Sequence, residues 1–141
     1  MNNEKTCEGV VECTALVLAE SCSELEGQLT LFGILDELRP GKNGEGFSFV
    51  VYAKFEGCEH AAEGERRARI LVTDEDGEVL EESAEYSIWL DGEEGPATIV
   101  AVFDLEVPRE TEERLLLWVE AELDEETLAQ TAIPLRERYN V

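Results

Sequence analysis

Apart from carboxylates, the residues able to do chemistry are few. Four cysteines stand at Cys7, Cys13, Cys22 and Cys58, and the single histidine is His60. A zinc site from Cys7, Cys13, Cys58 and His60 would need ligand pairs with two to four residues between them. Cys58-Glu59-His60 is tighter than that, and the gap from Cys7 to Cys13 is wider. The thiols are therefore read as free and no metal is expected. A Cys–His nucleophile pair would need Cys58 and His60 to meet, which requires that stretch to be extended. No nucleophile elbow and no glycine-rich phosphate loop is present, so no catalytic residue and no cofactor is assigned.

Arg66, Arg67 and Arg69 form the dense basic run. One reading is an anion clamp, because each guanidinium presents a planar donor fork. The other is cross-strand pairing with Glu81, Glu82 or Glu85, and the pairing rule favours it. Asp74-Glu75-Asp76-Gly77 has the composition of a calcium loop without its twelve-residue spacing, and reads as a hairpin turn. Glu110, Glu112 and Glu113 with Glu120, Glu122, Glu125 and Glu126 make a dense acidic block. Such a block could imitate phosphates and occupy a nucleic-acid-binding protein. A hydrolase with paired glutamates would need a cleft that drives two pKa values apart. Nothing singles out two among the glutamates.

The elements that hold these groups must come from one acidic domain. The chain has 141 residues, with Lys+Arg 11 and Asp+Glu 34, hence 11 − 34 = −23. That charge disfavours direct binding to nucleic acid and to anionic membranes, and leaves basic partners or water. No apolar run approaches a membrane span. Met1-Asn2-Asn3-Glu4-Lys5 does not resemble a secretory leader, so a cytoplasmic location is expected. Residues 1–10 read as a flexible polar tail and 11–141 as a single domain.

The hydrophobic pattern is that of strands. Phe47, Phe49, Val51, Ala53 and Phe55 alternate with smaller or polar residues, as do Ala68, Ile70 and Val72. Val79 and Leu80 lead on to Tyr86–Leu90. After a loop at 91–96, Ile99, Ala101, Phe103 and Leu105 share one face. Two segments admit either helix or strand. Leu115, Leu117, Val119, Ala121 and Leu123 alternate cleanly, which outweighs the helix formers around them in 109–123. Asp124-Glu125 then fits a tight turn into a strand over 127–135. In 11–25 a helical pattern competes with a strand over 14–20, a loop over 21–27 and a strand over 28–37. The strand reading is preferred because Gln28–Leu35 needs a neighbour. The expectation is an all-β, two-sheet antiparallel sandwich, immunoglobulin-like or jelly-roll-like, with about eight strands and little helix.

Ala15-Leu16-Val17-Leu18-Ala19-Glu20, then Glu26-Gly27-Gln28-Leu29-Thr30-Leu31-Phe32-Gly33-Ile34, resembles the start of a family of small bacterial proteins of unknown function. Arg69–Gly77 is similar to that family's extended hairpin, and 115–135 to its closing strand pair. The likeness spans about 14–135 and has Ile34 where a second glycine is common. It implies a β-sandwich and no activity, and fold analogy alone assigns none.

On this alternation Leu116 and Trp118 point away from the core, and Tyr52 and Trp89 are out of phase with their inward neighbours. Large aromatics on an outer sheet face mark an interface when they cluster. Tyr52, Trp89, Leu116 and Trp118 are therefore the candidate interaction face. The expected function is a non-enzymatic binding module with a protein partner or a second copy. An acidic nucleic-acid mimic is the alternative, and a paired-glutamate hydrolase ranks third.

Overall fold

The computed structural model describes residues 11–38, 46–57, 64–90, 96–105 and 115–135. Nine strands and no helix occur among them: β1 Val11–Leu25, β2 Gln28–Ile34, β3 Phe47–Gly57, β4 Gly64–Thr73, β5 Val79–Glu82, β6 Tyr86–Leu90, β7 Ala97–Leu105, β8 Leu115–Leu123 and β9 Glu126–Leu135. They form two antiparallel sheets. The first has the order β2-β1-β3-β7. The second has β5-β4-β8-β9, with β6 also on β4. The protein is an all-β sandwich.

The core lies between the sheets and follows the period-two pattern. Phe47, Phe49, Val51, Ala53 and Phe55 of β3 are buried, as are Ala68, Ile70 and Val72 of β4. Ile99, Ala101, Phe103 and Leu105 of β7 join them, with Leu117, Val119, Ala121 and Leu123 of β8. Phe49 and Phe103 are cross-strand partners, and their rings stack 5.4 Å apart. Alternation thus decided between strand and helix in β8, because two sheets can bury only one side of each strand.

Turn chemistry fixes the registers. Asp124 and Glu125 both have positive φ and close β8 onto β9, and Glu26 and Gly27 do the same between β1 and β2. Two-residue turns of that kind match the twist of antiparallel strands. Between β4 and β5, Gly77 N–H donates to Asp74 O, and the Asp74 carboxylate accepts from the N–H groups of Asp76 and Glu78. The acidic run is a hairpin turn with its first carboxylate engaged by backbone.

Two expectations need correction. The loop placed at 21–27 is mostly strand: β1 continues to Leu25 and only Glu26-Gly27 turns. Ser21, Ser23 and Glu24 suggested a loop by composition, but each sits opposite a β2 residue in an unbroken ladder. Val79 to Leu90 is two strands rather than one, with β5 and β6 lying along different stretches of β4. The expected tail over 1–10 lies outside the described residues, as do Cys7, Cys58, His60, Glu110, Glu112 and Glu113.

Candidate interaction site

The four residues of the expected face are not all neighbours. Leu116 and Trp118 share the outer face of the second sheet, where Trp118 pairs with Thr73 and Ala132, and Leu116 with Pro134. Both are half-buried. Trp89 is on the same face but opposite Glu65, at the other end of β4, and is 61% exposed. Glu65 and Thr73 are eight residues apart, which at the strand rise is about 26 Å. Tyr52 belongs to the other sheet, between Val17 and Val100. The structure therefore brings Leu116 and Trp118 together and leaves Trp89 and Tyr52 apart from them.

Charge fills the stretch between the two tryptophans. Arg69 donates to Glu122 at 2.8 Å and to Glu82 at 3.1 Å. Arg67 pairs with Glu85 at 3.0 Å, and Arg66 with Asp124 at 2.8 Å. Hydrogen bonds to Glu122 and to Glu85 raise the pKa of Arg69 and of Arg67. Each fork of the expected clamp is thus met by the chain's own carboxylate. Glu82 and Glu85 were anticipated as partners. Glu81 instead pairs in register with Val72, and Glu122 and Asp124 replace it. The Asp124 carboxylate also accepts from Arg67 N–H, and Asp124 N–H donates to Arg67 O, so the β8–β9 turn is tied to β4. A shallow hollow of about 300 Å³ is lined by Arg67, Arg69, Glu85, Glu122, Asp124 and Glu125. It is a mixed-charge ladder, which can orient a polar partner but offers no unpaired guanidinium for an anion.

Cys13 and Cys22 are free thiols. Burial pushes the Cys13 thiol pKa up, against the lowering effect of backbone hydrogen bonds with Ala15 and Lys54. It stays protonated at neutral pH and is a poor nucleophile.

A second region went unmarked in the sequence reading. The first half of β1 pairs with β3, and its second half pairs with β2 alone. The β1–β2 hairpin therefore leaves the four-stranded body as a two-stranded arm. Leu25 is 74% exposed, Phe32 50% and Ile34 60%. Ile34 also opens an apolar row across the first sheet, through Ala19 and Val50 to Val102. The middle of the row is buried and Val102 at its far end is 70% exposed. A sequence signal existed: 27–35 is free of charge in a chain with 32% charged residues.

No protein-family model matches the chain, and no curated protein matches it in sequence. Solved structures share its architecture. An alkylpurine DNA glycosylase from Pseudomonas fluorescens, solved with DNA containing an abasic-site analogue, matches 89% of this chain at 10% identity and TM-score 0.55. A glycosyl hydrolase family 2 member from Bacteroides cellulosilyticus matches 64% at 15% identity and TM-score 0.48. An immunoglobulin-like protein from Pseudomonas aeruginosa matches 92% of this chain and 98% of its own length, at 13% identity and TM-score 0.44. The chain spans only 30% of the glycosylase and 12% of the hydrolase. Likeness at these identities concerns the fold alone.

Proposed function

We propose that this protein is a non-enzymatic interaction module whose partner is another protein. The supporting observation is the set of large apolar side chains held in the open on a chain of net charge −23: Leu25, Leu29, Phe32 and Ile34 on the arm, Val102 on β7, Val79 and Leu80 on β5 and Trp89 on β6. Five of these eight belong to one sheet and its arm, and such clusters mark protein contacts. Leu116 and Trp118 give a second, half-buried apolar area on the opposite sheet.

The acidic-mimic reading makes the opposite demand, since it places the affinity in the carboxylates. The tagged protein, used as bait in its host lysate, separates the two. Washes at low salt and at about 0.5 M salt differ in Debye length, which falls below about 5 Å in the second. The module reading expects a partner that survives the high-salt wash and is lost with Phe32→Ser or with Trp118→Ala. A nucleic-acid-binding partner released by salt and displaced by DNA would replace it with the mimic. Retention of no protein under either wash would contradict both.

A further inference from the structure

We infer that the open edge of β2 takes an additional strand from a basic, apolar segment of the partner protein. The inference rests on the interaction-module reading and names its site and partner chemistry.

The first ground is the edge itself. An unpaired strand edge presents a row of N–H and C=O groups, and natural proteins guard such rows. Among the described residues the other edges carry guards. β5 is four residues long and ends in Glu81-Glu82. β6 is five residues long. On β7 the Tyr86 hydroxyl donates to Val100 O at 3.2 Å. On β9, Pro134 has no N–H to offer, and its carbonyl accepts from Leu38 N–H at 2.9 Å. β2 pairs with β1 and has no charge and no proline, and among the described residues no other strand pairs with its outer edge. Its two-residue turn makes Leu25 and Gln28 a hydrogen-bonded pair. The alternation of an antiparallel ladder then turns the N–H and C=O of Leu29 and Leu31 outward.

The second ground is what flanks that edge. Phe32 and Ile34 project to one face and Leu29 to the other, so an added strand meets apolar side chains on both faces. Main-chain hydrogen bonds would give it affinity and alternate side chains its specificity. The third ground is charge. Residues 20–36 contain Glu20, Glu24, Glu26 and Asp36 and no lysine or arginine. Glu20 and Asp36 line a hollow of about 370 Å³ together with Ile34 and Leu35. An aliphatic stem with a cationic head fits that lining. The same charge disfavours a second copy as occupant, because two such arms would bring eight carboxylates together.

The test uses the full chain and a synthetic peptide of about nine residues, with lysines at both ends of a Val/Ile/Thr run. A glutamate-flanked twin and a lysine-flanked version N-methylated at alternate residues serve as controls. The expected result is binding of the first peptide, at least about tenfold weaker binding of both controls, and new amide-exchange protection confined to Gln28–Ile34. Phe32→Ser should weaken binding about tenfold, and Gln130→Ser, at an exposed position of β9, should leave it unchanged. Thermal melts of both variants report whether they fold. Equal binding of the N-methylated peptide would overturn strand addition. Equal binding of the glutamate-flanked peptide would overturn the basic partner. Concentration-dependent dimerisation that protects Gln28–Ile34 would assign the edge to a second copy instead. Absence of peptide binding, with lysate capture still abolished by Trp118→Ala, would overturn this inference and leave the interaction module standing. Absence of both would remove the two together.

Discussion

β2 and β9 are both terminal strands, one in each sheet, and both are poor in charge. Gln28–Ile34 has none, and 127–135 has none. Their surroundings differ. β9 sends Ile133 and Leu135 into the core, and Leu38 bridges to Leu135 on its outer side. β2 sends nothing fully into the core and, among the described residues, has no strand beyond it. In β9 burial of Ile133 and Leu135 and the Leu38 bridge account for one end, while 127–132 is exposed or half-buried. In β2 no described residue supplies even that, and the difference supports a partner for β2.

Truncating one apolar side chain beside each strand breaks or sharpens this contrast. Leu38→Ala should cost about 2–4 kcal/mol, because Leu38 is 2% exposed and its loss leaves a cavity. Phe32→Ser removes a larger side chain yet should cost only about 1 kcal/mol, since half of it is already in water. Urea unfolding measures both. Equal losses would mean that β2 is as much a part of the core as β9.

Gly33→Ala comes next, at about 1–2 kcal/mol. Its φ is +69°, and a Cβ there would sit 2.8–2.9 Å from the Glu20 side chain. If Gly33 is only a spacer in the arm, the melting temperature will not change. On the second sheet, Arg69→Ala should cost about 1 kcal/mol, because Glu122 is nearly enclosed and loses its closest donor. Adding Glu122→Gln should recover part of that loss, and a purely additive double variant would show that the two do not couple.

The smallest effect is on Cys13. Its raised pKa means less thiolate at a given pH than in the unfolded chain. Buried neutral, it contributes stability below the ordinary thiol value that is lost as pH rises through the raised one. Alkylation of Cys13 at pH 8 should be slower in the folded protein than in urea.

The sandwich was legible because alternation is a direct record of burial: the inward residues of β3, β4, β7 and β8 could be named from spacing alone. The limits of β1 were not, since Ser21, Ser23 and Glu24 are turn formers that a ladder with β2 overrides. The arginine ladder was half legible. Glu82 and Glu85 are near in sequence to β4, whereas Glu122 and Asp124 reach it only through the β4–β8 pairing. The outward aromatics were read correctly as out of phase, but phase does not say which sheet a strand joins, so Tyr52 and Trp118 could not be separated. The arm was missed because its signal is an absence of charge, which a core strand shows equally.

Amide hydrogen exchange of the chain, alone and with the lysine-flanked peptide, tests the central claim most directly. The account predicts that Leu29 and Leu31 exchange fast in the free chain, that both become protected on adding the peptide, and that β9 does not change. Slow exchange at Leu29 and Leu31 in the free monomer, or peptide-induced protection at β9 in place of β2, would contradict it.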